Sequence, residues 1–275
     1  MKVAEKKAGY ASLLLFILLF FIAACGASKE NLIKAKTHMD IGTAYMEASK
    51  YNMAIVELMK AEKITPNEPK VHYFLSLAYH SVNQDDKAMP EVEKAIKLKK
   101  DYSEAYNLQG TIYMGQKKYD EAISAFDKAL SNVLYETPAA VLYNLGMAYY
   151  QKGMYRMAVL KLQEAENREP TSVLIPVIQI NMAWTYVALD ETDQAIERFQ
   201  KLVSGSPDLV EPYYGLGRCY LEKKDEKQAV KAFRNVIRLA PDSEMAAKAR
   251  ESLKNLGVPV EETSRTPVII EKKAK

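Results

Sequence analysis

Histidine, cysteine and tryptophan are scarce in this 275-residue chain, which has three, two and one of them. Each scarcity removes a class of chemistry. His38, His72 and His80 never pair at the four-residue spacing that sets two metal ligands on one helical face, so no helical zinc motif is present. His38 and His72 stand 34 residues apart, at a position where a bulky packing residue is expected. With only Cys25 and Cys219, a disulfide framework is excluded once Cys25 is otherwise engaged, and Cys219, inside a helical pattern, reads as a small buried hydrophobe. No glycine-rich phosphate loop and no G-x-S-x-G elbow occur. These readings predict no enzyme, no cofactor, no metal and no small-molecule substrate. The 38 basic and 35 acidic residues leave a net charge of +3, spread with both signs mixed, which argues against a nucleic-acid partner.

What is present begins with three lysines in the first nine residues, followed by an almost wholly apolar run from Tyr10 to Ala24. That run is shorter than the roughly 20 residues of a comfortable membrane span and ends in small residues, which predicts a signal peptide over 1–24. Ile22-Ala23-Ala24-Cys25 resembles the lipobox of bacterial lipoproteins, and the resemblance implies lipidation of Cys25. Gly26 stands where aspartate favours inner-membrane retention in that family, implying the periplasmic face of the outer membrane. Residues 25–34 are expected as a short tether.

From Ala35 onward a pattern repeats at the period of about 34 residues known for tetratricopeptide repeats. In Ala139–Ser172, Leu142, Leu145, Gly146 and Tyr149 share one helical face, and Ala158, Leu162 and Ala165 share the face of a second helix. Gly146 and Ala158 are small where two backbones are expected to approach, and Pro170 stops the second helix. The tyrosine slot recurs at Tyr45, Tyr79, Tyr113, Tyr149, Tyr186 and Tyr220. The chain therefore resembles an all-α, right-handed superhelical solenoid of six tetratricopeptide-like helix pairs, at 35–68, 69–102, 103–136, 139–172, 176–209 and 210–243. A capping helix over 244–257 and a flexible tail over 258–275 complete it. Pro90 predicts a kink or late start in its helix, and the residues inserted around 136–138 and 173–175 predict two longer loops.

In repeats of this family the first helix of each pair lines a concave groove. The matching positions are Met39, Thr43 and Met46; Tyr73, Leu77 and His80; Asn107, Thr111 and Met114; Tyr143, Met147 and Tyr150; Ile180, Trp184 and Val187; Tyr214, Arg218 and Leu221. Their apolar and aromatic character, strongest from the fourth repeat onward, predicts a protein- or peptide-binding groove unless the tail segment Pro267–Ile270 fills it.

Lipobox, tether, six repeats and cap together resemble the type IV pilus biogenesis lipoproteins of the pilotin class. That resemblance implies binding of an outer-membrane secretin subunit and help with its localisation or multimerisation. The family's fourth repeat commonly reads Asn-Tyr-Gly, whereas this chain has Asn144-Leu145-Gly146. The same features also fit a general envelope scaffold or an accessory lipoprotein for barrel assembly, polysaccharide export or peptidoglycan enzymes.

Overall fold

The computed structural model describes residues 29–133, 135 and 137–259. The expected signal peptide, Cys25 and residues 260–275 of the expected tail lie outside the described residues. Those that are described contain thirteen α-helices and no strand. They divide into two compact units that meet in sequence at residues 136 and 137, within the first of the two insertions.

The first unit holds three helix pairs. Helix α1 spans 29–47 and pairs with α2 (Tyr51–Ile64); α3 (Pro69–Ser81) pairs with α4 (Asp85–Leu98), and α5 (Ser103–Gly115) with α6 (Tyr119–Leu130). Residues 29–34, expected as tether, are helical and belong to α1. They contain no glycine or proline, and a Glu30–Lys34 ion pair of 2.7 Å at helical spacing supports them. The second unit holds α7 (Pro138–Gln151) with α8 (Tyr155–Arg168), α9 (Ile175–Ala188) with α10 (Thr192–Gly205), and α11 (Val210–Glu222) with α12 (Glu226–Leu239). Helix α13 (Glu244–Asn255) packs on the last pair.

Each pair closes around a small residue on the first helix and an apolar side chain sixteen residues later. A Cβ on Gly110 or Gly217 would come within 2.5 Å of the Phe126 or Phe233 ring, and both rings are fully buried. The corresponding contacts are 2.7 Å from Gly42 to Leu58 and 2.9 Å from Gly146 to Leu162. Gly146 therefore makes room chiefly for a side chain, with the Ala158 carbonyl farther off at 3.3 Å. Repeat two uses Ser76, whose hydroxyl donates to the Ala88 carbonyl at 2.8 Å, opposite the smaller Val92. Repeat five uses Ala183, and there the Phe199 ring takes its space from Gly215 in α11.

The turn inside every pair has one geometry. Ser49, Asn83, Lys117, Gly153, Asp190 and Lys224 all have positive φ, between 57° and 73°. One residue beyond each of them, a backbone N–H returns to the carbonyl of the repeated tyrosine, at 2.8 to 3.0 Å. The tyrosine slot thus marks the carbonyl that accepts the closing bond of each first helix. Gly257, with φ of 69°, ends α13 in the same way, its N–H bonding to Lys254 and that of Val258 to Leu253.

Pro90 causes no late start. Helix α4 begins at Asp85, 34 residues after the start of α2, and runs continuously through the proline to Leu98. Ala88, Val92 and Ala95 bury its inner face. Pro138 and Pro176 are absorbed into the first turns of α7 and α9, where a missing N–H costs nothing. Cys219 is 1% exposed, and burial pushes its thiol pKa up to about 11.

Candidate functional site

In the second unit the expected groove residues lie on α7, α9 and α11, the first helix of each pair. Tyr143, Met147, Tyr150, Ile180, Trp184, Val187, Tyr214 and Leu221 are half-buried, and Arg218 is exposed. Several are committed to internal packing. Ile180, Trp184 and Val187 lie against the core formed by Ala183, Phe199 and Leu216, while Tyr214 and Leu221 lie against the core shared by α12 and α13.

Trp184 has the most partners. Its indole N–H donates to Glu211 at 2.8 Å, and its ring meets Phe199 edge-on at 5.2 Å and Tyr214 at 6.4 Å. The Arg218 guanidinium lies over the indole at 5.4 Å, a cation–π geometry that holds the cation while leaving it in solvent. The sequence pattern placed Trp184 and Arg218 on one face but missed Glu211, which reaches Trp184 from the first turn of the next first helix. Glu211 lies 27 residues away, beyond any helical spacing.

The link between α7 and α9 is weaker. The Asn181 amide reaches the Tyr143 hydroxyl at 3.4 Å while also bonding the Val177 carbonyl at 2.8 Å. The rings of Tyr150 and Tyr155 lie 5.3 Å apart. On the second helices, Glu166 of α8 accepts from Gln179 at 2.7 Å and from Arg198 of α10 at 3.1 Å. Burial raises its carboxyl pKa, but these two partners outweigh burial and hold it below the usual carboxylate range. Depressions of 680 Å³ on α12 and 540 Å³ between α8 and α10 lie elsewhere and are lined mainly by polar and charged residues.

In the first unit the corresponding face is more polar. Tyr73 is wedged between Phe74 and Tyr102, with ring centres 5.2 Å from each, and burial raises its hydroxyl pKa to about 12. Leu77 packs on the α4–α5 core, and His80 pairs with Asp85 at 2.6 Å. Met39, Thr43, Met46, Asn107, Thr111 and Met114 are all half-buried. The apolar and aromatic face of the second unit, with Arg218 as its exposed charge, is the candidate for binding.

Comparisons with known proteins bear on this architecture. Tetratricopeptide-repeat profiles match residues 35–68, 69–102 and 101–168, and a profile described as an outer membrane lipoprotein matches residues 135–257. Among solved structures, Pseudomonas aeruginosa PilF superposes with a TM-score of 0.69 at 20% identity, covering 82% of this chain and 99% of that one. PilW, described as a type IV pilus biogenesis factor, gives 0.72 at 21% identity, covering 78% and 98%. A chloroplastic tetratricopeptide repeat domain-containing protein of Arabidopsis thaliana is 26% identical over 44% of this chain and 40% of its own length. The chain therefore spans less than half of that relative. The repeated helix pairs match tetratricopeptide repeats over residues 35–168, and residues 135–257 are similar to the outer membrane lipoprotein family.

Proposed function

We propose that the protein is a lipid-anchored, non-enzymatic scaffold of the bacterial envelope that captures an apolar segment of a partner protein on the α7, α9 and α11 face. The observation that carries this reading is the half-buried run of Tyr143, Met147, Tyr150, Ile180, Trp184, Val187, Tyr214 and Leu221 beside exposed Arg218. Aromatic anchors bury much area at small entropy cost, and methionine adapts to its partner. Trp184 and Tyr214, two of the core-bound residues of that run, would supply a rigid floor, and Tyr150 and Met147 the adaptable contacts.

The partner in this reading is a secretin subunit, and the role is pilotin-like help with its localisation or multimerisation. Similarity to PilF and PilW supports it, as does the lipobox-like sequence ending at Cys25, which would place the scaffold at the outer membrane. The test is an in-cell photocrosslink from residue 218, the exposed member of the face, with identification of the captured protein by mass spectrometry. Capture of a secretin subunit, lost with Tyr150→Ala, is the expected result. Capture of a different envelope protein would retain the scaffold and remove the pilus. Capture of only the chain's own tail would remove the groove. Palmitate labelling that persists in Cys25→Ser would overturn the anchor.

A further inference from the structure

Three side chains remote in sequence converge in the first unit, one each from α2, α3 and α4. His72 Nδ1 lies 2.6 Å from a Glu91 carboxylate oxygen and 3.9 Å from one of Glu62, and the three atoms fall within 4.8 Å of one another. The His72 side chain is fully buried, whereas those of Glu62 and Glu91 remain 29% and 22% exposed. A solvent-borne ion could thus reach a site that the imidazole anchors from inside.

The other ring nitrogen decides the orientation. His72 Nε2 lies 2.8 Å from the Pro66 carbonyl, which can only accept, so Nε2 carries a hydrogen and Nδ1 is the atom presented to the two carboxylates. A ligating histidine usually holds its other N–H on a carbonyl or carboxylate in this way, which fixes ring and tautomer together. Without a metal, Nδ1 holds a proton against Glu91. Burial opposes that charge, but Glu91 and the Pro66 carbonyl outweigh burial and raise the His72 pKa. Lys94 of α4 lies 3.5 Å from Glu62, and Tyr79 of α3, whose hydroxyl pKa is raised by burial and then by Glu91 and Glu62, also faces the cluster.

We propose that Glu62, His72 and Glu91 form a binding site for a divalent transition metal of the zinc class, the ion taking the place of the proton on Nδ1. Two carboxylates and a neutral imidazole balance the ion's charge, and the exposed side leaves a fourth position for water. A tetrahedral ion with bonds of about 2.1 Å holds its ligand atoms about 3.4 Å apart. Glu91 must therefore retreat by roughly 0.8 Å and Glu62 advance by roughly 0.5 Å, shifts within reach of half-exposed carboxylates. Magnesium and calcium, which prefer six or more oxygen ligands, fit poorly.

One repeat earlier the same pair recurs without its third member. His38 Nδ1 lies 2.7 Å from Glu57, as His72 does from Glu91, but Lys60 sits 2.7 Å from that carboxylate and no second acid joins them. Among the described residues no other group of three such ligands occurs. His38 and Glu57 therefore serve as an internal control.

The experiment titrates Zn²⁺, and Co²⁺ as a spectroscopic probe, into the untagged, metal-stripped full chain in detergent at pH 8.0 and pH 5.5. One equivalent should bind with the tetrahedral visible spectrum of Co²⁺, more weakly at pH 5.5 where the proton competes, and Mg²⁺ should not displace it. Glu62→Gln should weaken zinc binding at least tenfold, and a His38→Gln/His80→Gln double variant should leave it unchanged. His72→Gln risks the fold, and the half-exposed Glu62 keeps the test decisive. Equal zinc affinity in Glu62→Gln, loss of binding in the His38/His80 variant, or no bound equivalent at pH 8.0 would each overturn the site and leave a cluster that holds only a proton.

Discussion

In the first unit Gly42 and Gly110 make room for Leu58 and Phe126; in the second Gly146 and Gly217 make room for Leu162 and Phe233, and Gly215 for Phe199. Both units obey one volume rule, in which the first helix gives up side-chain volume where the second inserts it. They differ in what surrounds that core. The first unit contains all three histidines, each paired with an acid, while the second has none and ties its first helices together through the rings around Trp184. The buried His72 with its acidic partners gives one unit a sensitivity to protons and metals, and aromatic packing gives the other a rigid apolar face.

Removing the inserted ring should break the volume rule most severely. Phe233→Ala leaves a fully enclosed cavity and is expected to cost about 3–5 kcal/mol, measured by denaturant unfolding. The reverse error is smaller. Gly217→Ala pushes a methyl group into the same ring and should cost about 1–3 kcal/mol. Combining it with Phe233→Val, which imitates the Ser76 and Val92 pairing of repeat two, should cost less than the two single changes summed. Additive costs would show that ring and glycine do not share one volume.

A pH series sharpens the contrast between units. The folded pKa of His72 is raised, so its stabilising contribution is complete below the unfolded value of about 6.5 and is lost as pH rises through the folded value. Amide exchange in α2 to α4 should therefore accelerate as pH rises from about 6.5 through the folded His72 value, after correction for intrinsic exchange, while that in α9 to α12 should not. Equal acceleration in both units would mean that His72 is not the group responsible.

The smallest effects lie at the positive-φ turns. Gly153→Ala should cost about 1 kcal/mol, because a side chain there meets the left-handed penalty. Lys224→Gly should gain less than about 1 kcal/mol, since relief of that penalty is partly offset by chain entropy. Thermal unfolding of the two variants gives opposite signs if the six turns share one geometry.

Much of the fold was legible because helix-pair packing is periodic. Gly146, Tyr149, Ala158 and Leu162 recur at fixed offsets, and those offsets state which residues meet across the pair. The partial burial of the expected groove residues was less legible. Trp184 lies on α9, and its bond to Glu211 of α11 depends on how successive first helices approach. Asp190, Lys117 and Lys224 carry no glycine-like signal of a left-handed turn, because hydrogen bonding to the tyrosine carbonyl imposes that conformation against local preference. The helical state of residues 29–34 was likewise obscured, since the repeat pattern marks packing positions and says nothing of a helix that continues beyond them.

By itself the sequence determined the helix-pair class, the small-to-large pairing within each repeat and the absence of a familiar catalytic motif, all of which follow from spacing along one or two helices. Tertiary structure alone decided which face residues stay available, that Phe199 borrows its space from Gly215, and that Glu62, His72 and Glu91 meet. Those contacts join different helix pairs or reach across three helices. Their geometry depends on how one pair is set against the next, an angle that no residue spacing records.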